Sequence, residues 1–345
     1  MTEEPFRLGT RGSDLARRQA DIVREAFERH RTDVEIVEVS TTGDRLSEQR
    51  IRELGKTGAF VRDLDERVLD GELDAAVHSL KDMPTDMPPD LVVAAIPERV
   101  TPNDLLVTPD GSDVADLPRG ATIGTSSLRR RAQLLAVRPD LSVEPIRGNV
   151  DTRIEKLLGP HLRTDRDAFE DDDEREAWLA ERSDFERAAL EREVDKTYDG
   201  LVLAAAGLER SGLIRSVPTH RLPLEAHVPA PGQGAIAVTM RDGPDATEVH
   251  TRMDHPPSRV AVTVERVILS ELGGGCIAPI GVHAIVQGDV VNTRVQVLSS
   301  DGEDTLGATR DLSIERHVDH AVDLAGELAE EGARDMIEAA AEDDR

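Results

Sequence analysis

Arginine, serine and threonine residues cluster at three points where a predicted strand passes into a helix. These groups occupy 10–13, 124–131 and 147–153. The carboxyl ends of strands border the ligand crevice of a doubly wound sheet, and the N–H groups of helix N-termini bind anions there. Arginine adds two-pronged recognition of carboxylates. We therefore expect a site for a polyanionic ligand, while the alternative treats these arginines as solvated counter-charges of an acidic surface.

The charge balance bears on which polyanion could bind. The chain of 345 residues has 69 Asp and Glu against 42 Lys and Arg, which gives a formal net charge of −27. A polyanion of this size repels nucleic acid and anionic membranes. The seven aromatic residues also offer little for base stacking. We expect no nucleic-acid and no membrane partner, and keep an arginine-patch nucleic-acid binder as a rival.

The same composition indicates a compartment. Only four of the basic residues are lysines, and the acid surplus is typical of a protein adapted to concentrated salt, where carboxylates hold water and cations. Residues 1–5 lack the regions of a secretory signal, and no apolar run could span a membrane. One cysteine excludes an internal disulfide and a thiolate metal cluster. We expect a cytoplasmic protein without a metal.

A second chemical group follows another predicted strand, in the sequence VHSLKDMP at 77–84. A carboxylate beside a lysine, as in Lys81-Asp82, suits proton transfer and stabilisation of a cationic intermediate. A surface ion pair in a turn is the other interpretation, and His78 is expected in the core. A Ser-His-Asp hydrolase is disfavoured, because neighbours on a strand point to opposite faces and no Gly-x-Ser-x-Gly elbow occurs.

A third candidate is the single cysteine, Cys276, which follows three glycines at 273–275. An isolated cysteine is most often buried and inert. Glycines at a predicted helix end instead indicate a loop whose backbone approaches another group closely. Cys276 is therefore also a candidate nucleophile or attachment point.

The elements that must position these residues alternate between strand and helix through the first two-thirds of the chain. Ser13 is a plausible N-cap, the apolar spacing predicts a further helix over 150–158, and later apolar runs such as 201–206 are typical of buried strands. This rhythm predicts an α/β architecture with mostly parallel sheets. From residue 257 the pattern changes to helix, three strand-like runs and a last helix over 319–341, which predicts a separate small α+β domain.

The stretch 159–196 stands apart, with 14 acidic and seven basic residues. It has no strand pattern, although Trp178, Leu179, Phe185 and Leu190 could line one helical face. We interpret it as a solvated surface helix or a partly disordered insertion. A helix that docks a partner is the alternative.

Taken together, the motifs resemble those of the porphobilinogen deaminase family, also called hydroxymethylbilane synthase, along nearly the whole chain. Eight segments match in the family's order, namely TRGS at 10–13, GAFV at 58–61, VHSLKDMP at 77–84, GTSSLRR at 124–130, RGNVDTR at 147–153, AAGLER at 205–210, PGQG at 231–234 and GGCIAP at 274–279. Each segment alone is modest, and the ordered set is highly specific. Relative to the family's usual form, 159–196 is an insertion.

The resemblance implies two lobes like those of periplasmic binding proteins, with mixed, mostly parallel sheets, and a small C-terminal α+β domain. Domain 1 would comprise 1–99 and 232–256, domain 2 100–231, and domain 3 257–345. The implied reaction joins four porphobilinogen molecules head to tail, with loss of ammonia, into hydroxymethylbilane for tetrapyrrole biosynthesis. We expect the enzyme to be a monomer. Cys276 would carry, through a thioether, a dipyrromethane cofactor that primes the chain.

The resemblance also assigns site residues by their positions in these motifs. Asp82 would stabilise the cationic azafulvene left when ammonia departs, and would shuttle protons. Residues that would bind the cofactor are Cys276, Lys81, Asp82, Thr125, Ser127, Arg129 and Arg130. Residues that would bind substrate are Arg11, Ser13, Phe60, Arg147, Arg153 and Arg210. The alternative function is a two-lobed carboxylate-binding protein without catalysis, against which the glycine-framed Cys276 and the missing signal peptide argue.

Overall fold

Three sheets organise the chain in the computed structural model, which describes residues 5–29, 32–40, 59–275 and 278–343. The strands are β1 Phe6–Arg11, β2 Val34–Val39, β3 Ala75–Ser79, β4 Leu91–Ala95, β5 Asp104–Val107, β6 Thr122–Gly124, β7 Ser142–Glu144, β8 Gly200–Ala204, β9 Thr219–Arg221, β10 Ile236–Arg241, β11 Ile280–Gln287, β12 Val290–Leu298 and β13 Thr305–Ser313. The helices are α1 Asp14–Glu28, α2 Ala59–Leu69, α3 Leu128–Val137, α4 Val150–Asp167, α5 Asp172–Ala180, α6 Asp184–Glu191, α7 Ala205–Ser211, α8 Pro244–Met253, α9 Pro256–Glu271, α10 His317–Glu330 and α11 Ala333–Asp343.

Lobe 1 is a five-stranded sheet in the order β2-β1-β3-β10-β4, in which only β10 runs against the others. Both faces are covered, since successive residues of β3 point to opposite sides. Ala75 and Val77 pack in one apolar cluster with Val23 of α1, while Ala76 packs in another with Leu64 of α2. Burial on both faces explains why β3 begins with three consecutive apolar residues, at 75–77.

Lobe 2 repeats this arrangement in the order β7-β6-β8-β5-β9, with β5 as the strand of opposite direction. Each antiparallel strand directly follows, along the chain, a strand of the other lobe: β5 of lobe 2 follows β4 of lobe 1, and β10 of lobe 1 follows β9 of lobe 2. The two lobes are thus joined by two crossing segments, 96–103 and 222–235. Leu201 and Leu203 of β8 pack with Ile154 of α4, and Val202 with α3 on the opposite face.

The C-terminal unit is an antiparallel sheet, β11-β12-β13, with α9, α10 and α11 packed on it. Helix α9 has two faces. Ala261, Val264 and Ile268 lie in the core of this unit, while Val262 belongs to a cluster of lobe 1. Helix α9 therefore packs in the core of the C-terminal unit and also against lobe 1.

A buried carboxylate fastens the C-terminal unit to the crossing segments. The fully buried Glu265 of α9 accepts hydrogen bonds from Arg99 Nη1 at 2.7 Å, Gly232 N at 2.7 Å and Ala284 N at 2.8 Å. When one partner of a buried charge is removed, the charge is left uncompensated and the fold is strongly destabilised. The C-terminal unit also contacts lobe 2, where Gln133 Nε2 of α3 donates a hydrogen bond to Gln296 Oε1 of β12 at 2.8 Å.

The predicted α/β class, with two lobes and a C-terminal α+β unit, is confirmed, and most predicted elements agree to within one or two residues. Three differ. The apolar run 201–206 is strand only to Ala204 and helix from Ala205. The predicted last helix is two helices, separated at Gly332, whose φ of 103° favours glycine. Helix α4 passes through Gly159 and Pro160 instead of ending at residue 158.

The acidic stretch is helical throughout much of its length and does not form one amphipathic helix. Trp178 and Leu179 lie on α5, whereas Phe185 and Leu190 lie on α6, and all four are half-buried. Helix α6 packs along α4, and Arg192 forms an ion pair with Glu155. No helix within the described ranges is both long and apolar enough to cross a membrane.

Candidate active site

A cleft of about 290 Å³ lies between the lobes, at the carboxyl ends of the strands of both sheets. A larger cavity of about 400 Å³ lies at the opposite edge of lobe 1, lined by Phe6, Phe27 and Met240 among others, and holds none of the motif residues. Motif side chains from both lobes converge only on the first among the cavities described. We therefore take this cleft as the candidate active site.

Lobe 1 supplies one wall of the cleft from the ends of β1 and β3. Arg11 ends β1, and Ser13 caps α1 by accepting a hydrogen bond from Ala16 N at 3.3 Å. Lys81 and Asp82 lie in a single 3₁₀ turn directly after β3. The turn is closed by Met83 N, which donates to the Leu80 carbonyl at 3.1 Å.

Lobe 2 supplies the other wall from the starts or ends of three helices. Arg130 lies in the first turn of α3, Arg153 in the first turn of α4, and Arg210 in the last turn of α7. Arg153 Nε donates to Gly148 O at 2.8 Å, and Arg210 Nη2 donates to Gly234 O at 2.8 Å. The guanidiniums of Arg153 and Arg210 are thereby oriented by backbone carbonyls, which carry no charge to neutralise them.

The charges that face the cleft are mostly positive. Its lining includes the cations of Arg11, Lys81, Arg130, Arg153 and Arg210, and among the described residues the only lining carboxylate is that of Asp82. Within those same residues no hydrogen bond or ion pair engages the Asp82 carboxylate. A protein with a net charge of −27 thus presents a local surplus of positive charge here, which suits an anionic ligand.

Burial between the lobes changes the titration of these cations. Loss of water lowers the pKa of Lys81, Arg130 lowers it further, and the Asp82 carboxylate partly offsets both. Burial also lowers the pKa of Arg153 to about 10, where Arg130 again lowers and Asp82 raises it, and burial lowers that of Arg210 to about 10. Both arginines stay charged at neutral pH, poorly hydrated and ready to bind carboxylates.

A buried carboxylate behind the cleft holds two of the motif arginines. Asp104 accepts hydrogen bonds from Arg129 Nη2 at 2.8 Å, Arg130 Nη2 at 2.7 Å and Gln233 Nε2 at 2.8 Å. Burial alone would raise the pKa of Asp104, but the two guanidiniums outweigh it and hold this pKa below its usual value. Asp104 is therefore ionised, and its ion pair fixes the guanidinium of Arg130, a residue that lines the cleft.

The structure brings together part of the predicted site. Seven predicted residues line the cleft, namely Arg11, Ser13, Lys81, Asp82, Arg130, Arg153 and Arg210. Four others do not line it, namely Thr125, Ser127, Arg129 and Arg147. The Cys276 prediction and the side chain of Phe60 lie outside the described residues.

Local contacts explain why some predicted residues lie away from the cleft. Arg129 is 3% exposed and also donates to Val228 O at 2.7 Å and Gln133 Oε1 at 2.8 Å, so its donors are directed into the protein. Ser127 caps α3 by accepting from Arg130 N. Thr125 is buried and accepts from Ser127 N. Their assignment to the cofactor stays a prediction.

Gln19 and Ser79 are among the cleft residues that the sequence did not assign to the site. Gln19 Nε2 on α1 donates to Ser79 Oγ at 2.9 Å, and both side chains line the cleft. Ser79 lies within a motif, but nothing in its type set it above its neighbours. Gln19 carries the clearer signal, because it is a polar residue on the buried face of α1, beside Ala20 and Val23.

Two family profiles match the chain. One, described as "Porphobilinogen deaminase, dipyromethane cofactor binding domain", matches residues 6–165 and 187–249. The other, "Porphobilinogen deaminase, C-terminal domain", matches residues 260–333. The unmatched 166–186 is shorter than the insertion expected at 159–196, because the ends of that stretch follow the family pattern.

Curated relatives match over nearly the full length. A probable porphobilinogen deaminase of Halobacterium salinarum is 48% identical, over 98% of each chain. One of Methanococcoides burtonii is 38% identical over 96% of each chain, and a porphobilinogen deaminase of Thermobifida fusca is 40% identical over 99% of this chain and 96% of its own.

Solved structures match more loosely. A periplasmic substrate-binding protein of an ABC transporter from Coxiella burnetii covers 74% of this chain and 94% of its own, with 14% identity and a TM-score of 0.36. At that score the description of the fold rests on the sheets themselves.

Proposed function

Because the chain belongs to the porphobilinogen deaminase family, we propose that its cleft joins four porphobilinogen molecules head to tail into hydroxymethylbilane, releasing ammonia, in tetrapyrrole biosynthesis. The observation that carries this proposal is the composition of the cleft, with five cations around one carboxylate. Each porphobilinogen brings an acetate and a propionate, so a growing chain accumulates negative charge. A cationic cleft on an acidic protein fits that substrate.

We assign substrate binding to Arg11, Ser13, Phe60, Arg147, Arg153 and Arg210. Guanidiniums suit this task because they bind carboxylates in a planar, two-pronged way. Support comes from the position of Arg11 on one lobe and of Arg153 and Arg210 on the other, all lining the same cleft. A substrate between them would be gripped from both sides.

The residues of the cleft also fit the dipyrromethane cofactor of the family. Made of two substrate units, it bears four carboxylates, and Lys81 and Arg130 are the cations that would hold them beside Asp82. We assign its thioether attachment to Cys276, with Thr125, Ser127 and Arg129 as further ligands. When bound, the cofactor supplies the pyrrole carbon to which the first substrate is joined.

Asp82 is the group we assign to the chemistry. When the aminomethyl C–N bond breaks, nitrogen leaves as ammonia and positive charge develops on the substrate pyrrole. The Asp82 carboxylate, exposed in the cleft, would stabilise that charge. After the new C–C bond forms, the attacked ring must lose its proton, and the Asp82 carboxylate, which lines the cleft, would accept it. Lys81 and Arg153 surround this carboxylate with positive charge.

We further propose a cytoplasmic monomer of three domains, 1–99 with 232–256, 100–231, and 257–345. The sheet memberships support these boundaries, since both crossing segments contain one of them. The acidic stretch leaves the cleft open in this proposal. None of the residues that line the cleft belongs to the stretch 159–196, all of which lies within the described ranges.

Incubation with porphobilinogen tests the function. We expect release of ammonia and formation of hydroxymethylbilane, and a Cys276 peptide heavier by two pyrrole units in the purified enzyme. A carboxylate-binding protein without catalysis would bind porphobilinogen, release no ammonia and show an unmodified thiol. A nucleic-acid binder would instead be retained on DNA in a steeply salt-weakened manner.

A further inference from the structure

We propose that Arg266, on α9 of the C-terminal unit, is a positioning residue that aims Asp82 into the cleft. Its guanidinium donates through Nη2 to the Pro84 carbonyl at 2.6 Å and through Nη1 to the Met83 carbonyl at 3.3 Å. These carbonyls belong to the two residues directly after Asp82. The C-terminal unit thereby grips the turn that presents the carboxylate.

The backbone of this turn is what can aim Asp82. Among the described residues, no side chain donates a hydrogen bond to the Asp82 carboxylate. Its position therefore depends on the 3₁₀ turn, which is closed by the hydrogen bond from Met83 N to Leu80 O at 3.1 Å. A clamp on the carbonyls of Met83 and Pro84 fixes the exit of the turn, and with it the direction of the side chain.

Apolar packing supports the same contact. Val262 lies one helical turn before Arg266 on α9, on the same face. It is 1% exposed and packs in one cluster with Leu80 and Met83, the residues on either side of Lys81-Asp82. The hydrogen bonds of Arg266 thus extend a packed interface between α9 and the turn.

The same helix leads to the predicted attachment point. Helix α9 ends at Glu271, whose carbonyl accepts a hydrogen bond from Arg334 Nη2 at 2.7 Å, and the glycines that precede Cys276 follow. One helix therefore contacts the carboxylate's turn and also precedes the predicted attachment point in the chain.

The test compares Arg266→Met, which keeps the aliphatic stem and removes the donors, with Arg266→Lys, which keeps one cationic donor. This inference rests on the proposed function, so the assay is steady-state turnover of porphobilinogen. We expect kcat to fall about 10- to 100-fold in Arg266→Met, since small misplacements of a reacting group cost this much. KM should change less than threefold, because the cleft cations are untouched, and Arg266→Lys should recover part of kcat.

Arg259→Met is the matched control. Arg259 also lies on α9 and clamps lobe 1 backbone, donating to Val93 O at 3.0 Å and Ala94 O at 3.2 Å, which belong to β4 and not to the turn of Asp82. It should lower the melting temperature without lowering kcat. Intact mass, read for each variant, gives the fraction that carries the cofactor, and kcat is expressed per loaded enzyme.

The outcomes separate the two hypotheses. Wild-type enzyme that releases no ammonia from porphobilinogen overturns the proposed function. Active wild type with an Arg266→Met kcat within twofold of it, or with a loss equalled by Arg259→Met, overturns the positioning role alone. Should Arg266→Met fail to fold, Arg266→Lys and Arg266→Gln carry the same comparison, with the lower kcat expected for Gln.

Discussion

The residues of the cleft reverse the charge of the protein that surrounds them. Five cations face one carboxylate there, while the whole chain carries −27. Loss of water lowers the pKa values of Arg153 and Arg210 to about 10, which leaves both charged at neutral pH. The charge reversal is local. The net charge of the chain therefore indicates the salt content of the surrounding solvent, whereas the charge of the cleft indicates the kind of ligand.

Replacement of Asp82 by Asn should remove the reaction. The amide can neither accept the ring proton nor offset the developing cation, so we expect kcat to fall by at least about 100-fold. Melting temperature should stay near that of wild type, since Asp82 is exposed. Asp86→Asn, an exposed carboxylate of the same loop, is the control and should keep full turnover. Near-normal turnover in Asp82→Asn would remove it from the mechanism.

Acid should weaken the fold through His227, in the second crossing segment. Burial lowers its pKa from 6.5 to about 4 in the folded protein, with Asp104 raising and Arg129 lowering it. Between these values the unfolded chain takes up a proton that the folded one does not, so stability falls as the pH falls from 6.5 to 4. At about 1.4 kcal/mol per unit, the loss reaches about 3 kcal/mol.

Urea unfolding at pH 7 and pH 5 measures this effect. His227→Gln should show a smaller loss of free energy of unfolding between the two values, by about 2 kcal/mol. An unchanged pH dependence in the variant would mean that His227 is not the group responsible.

For individual residues, the sequence predicts which side chains line the cleft better than it predicts which side chains pair with each other. Seven predicted residues line the cleft because strand ends gather at one edge of a sheet. The direction of Arg129 depends on Asp104, which lies far from it in the chain and carries no motif of its own. Long-range pairing of this kind is decided by the fold, so it could not be read from spacing.

Among the elements, the helices that begin at the cleft depend on their caps. Ser13 and Ser127 each accept a hydrogen bond from the first turn of the helix that follows. The Ser13 cap was predicted, because a serine before an apolar helical pattern is a common start signal. The end of β8 was not, since an apolar run of 201–206 suits a buried strand and a buried helix equally.

A glycine tests how the acidic stretch is attached. A methyl group on Gly159 of α4 would lie 2.4 Å from the Ala189 carbonyl oxygen of α6. Gly159→Ala should therefore push the helices apart and destabilise the stretch by about 1–3 kcal/mol. The single tryptophan, Trp178, lies under the Arg182 guanidinium at 4.7 Å, and its fluorescence reports unfolding there.

Gly326→Ala is the control for that substitution, and its expected effect on stability has the opposite sign. Gly326 lies in α10, with nothing within 4 Å of the added methyl group, so alanine should stabilise the protein by up to about 1 kcal/mol. Turnover should be unchanged in both variants. An equal or higher unfolding midpoint in Gly159→Ala would contradict the close packing of α6 on α4.

For the whole molecule, stability should depend on salt. Acidic residues such as those at 170–174 are exposed, and their repulsion acts over about 10 Å at 0.1 M salt but about 3 Å at 1 M. Thermal melts should therefore give a higher melting temperature in molar KCl than in dilute KCl. The same melting temperature in both would refute adaptation to concentrated salt.

The exchange of strands between the lobes has a consequence for biosynthesis on the ribosome. Lobe 2 has all five strands once Arg221 has been made, whereas lobe 1 lacks the strand between β3 and β4 until β10 emerges at Ile236. At about 5–20 residues per second, β4 waits roughly 7–28 s for that partner. Of the two lobes, the one that is translated first is thus completed second, and its two unpaired strand edges need shelter from other nascent chains in the meantime.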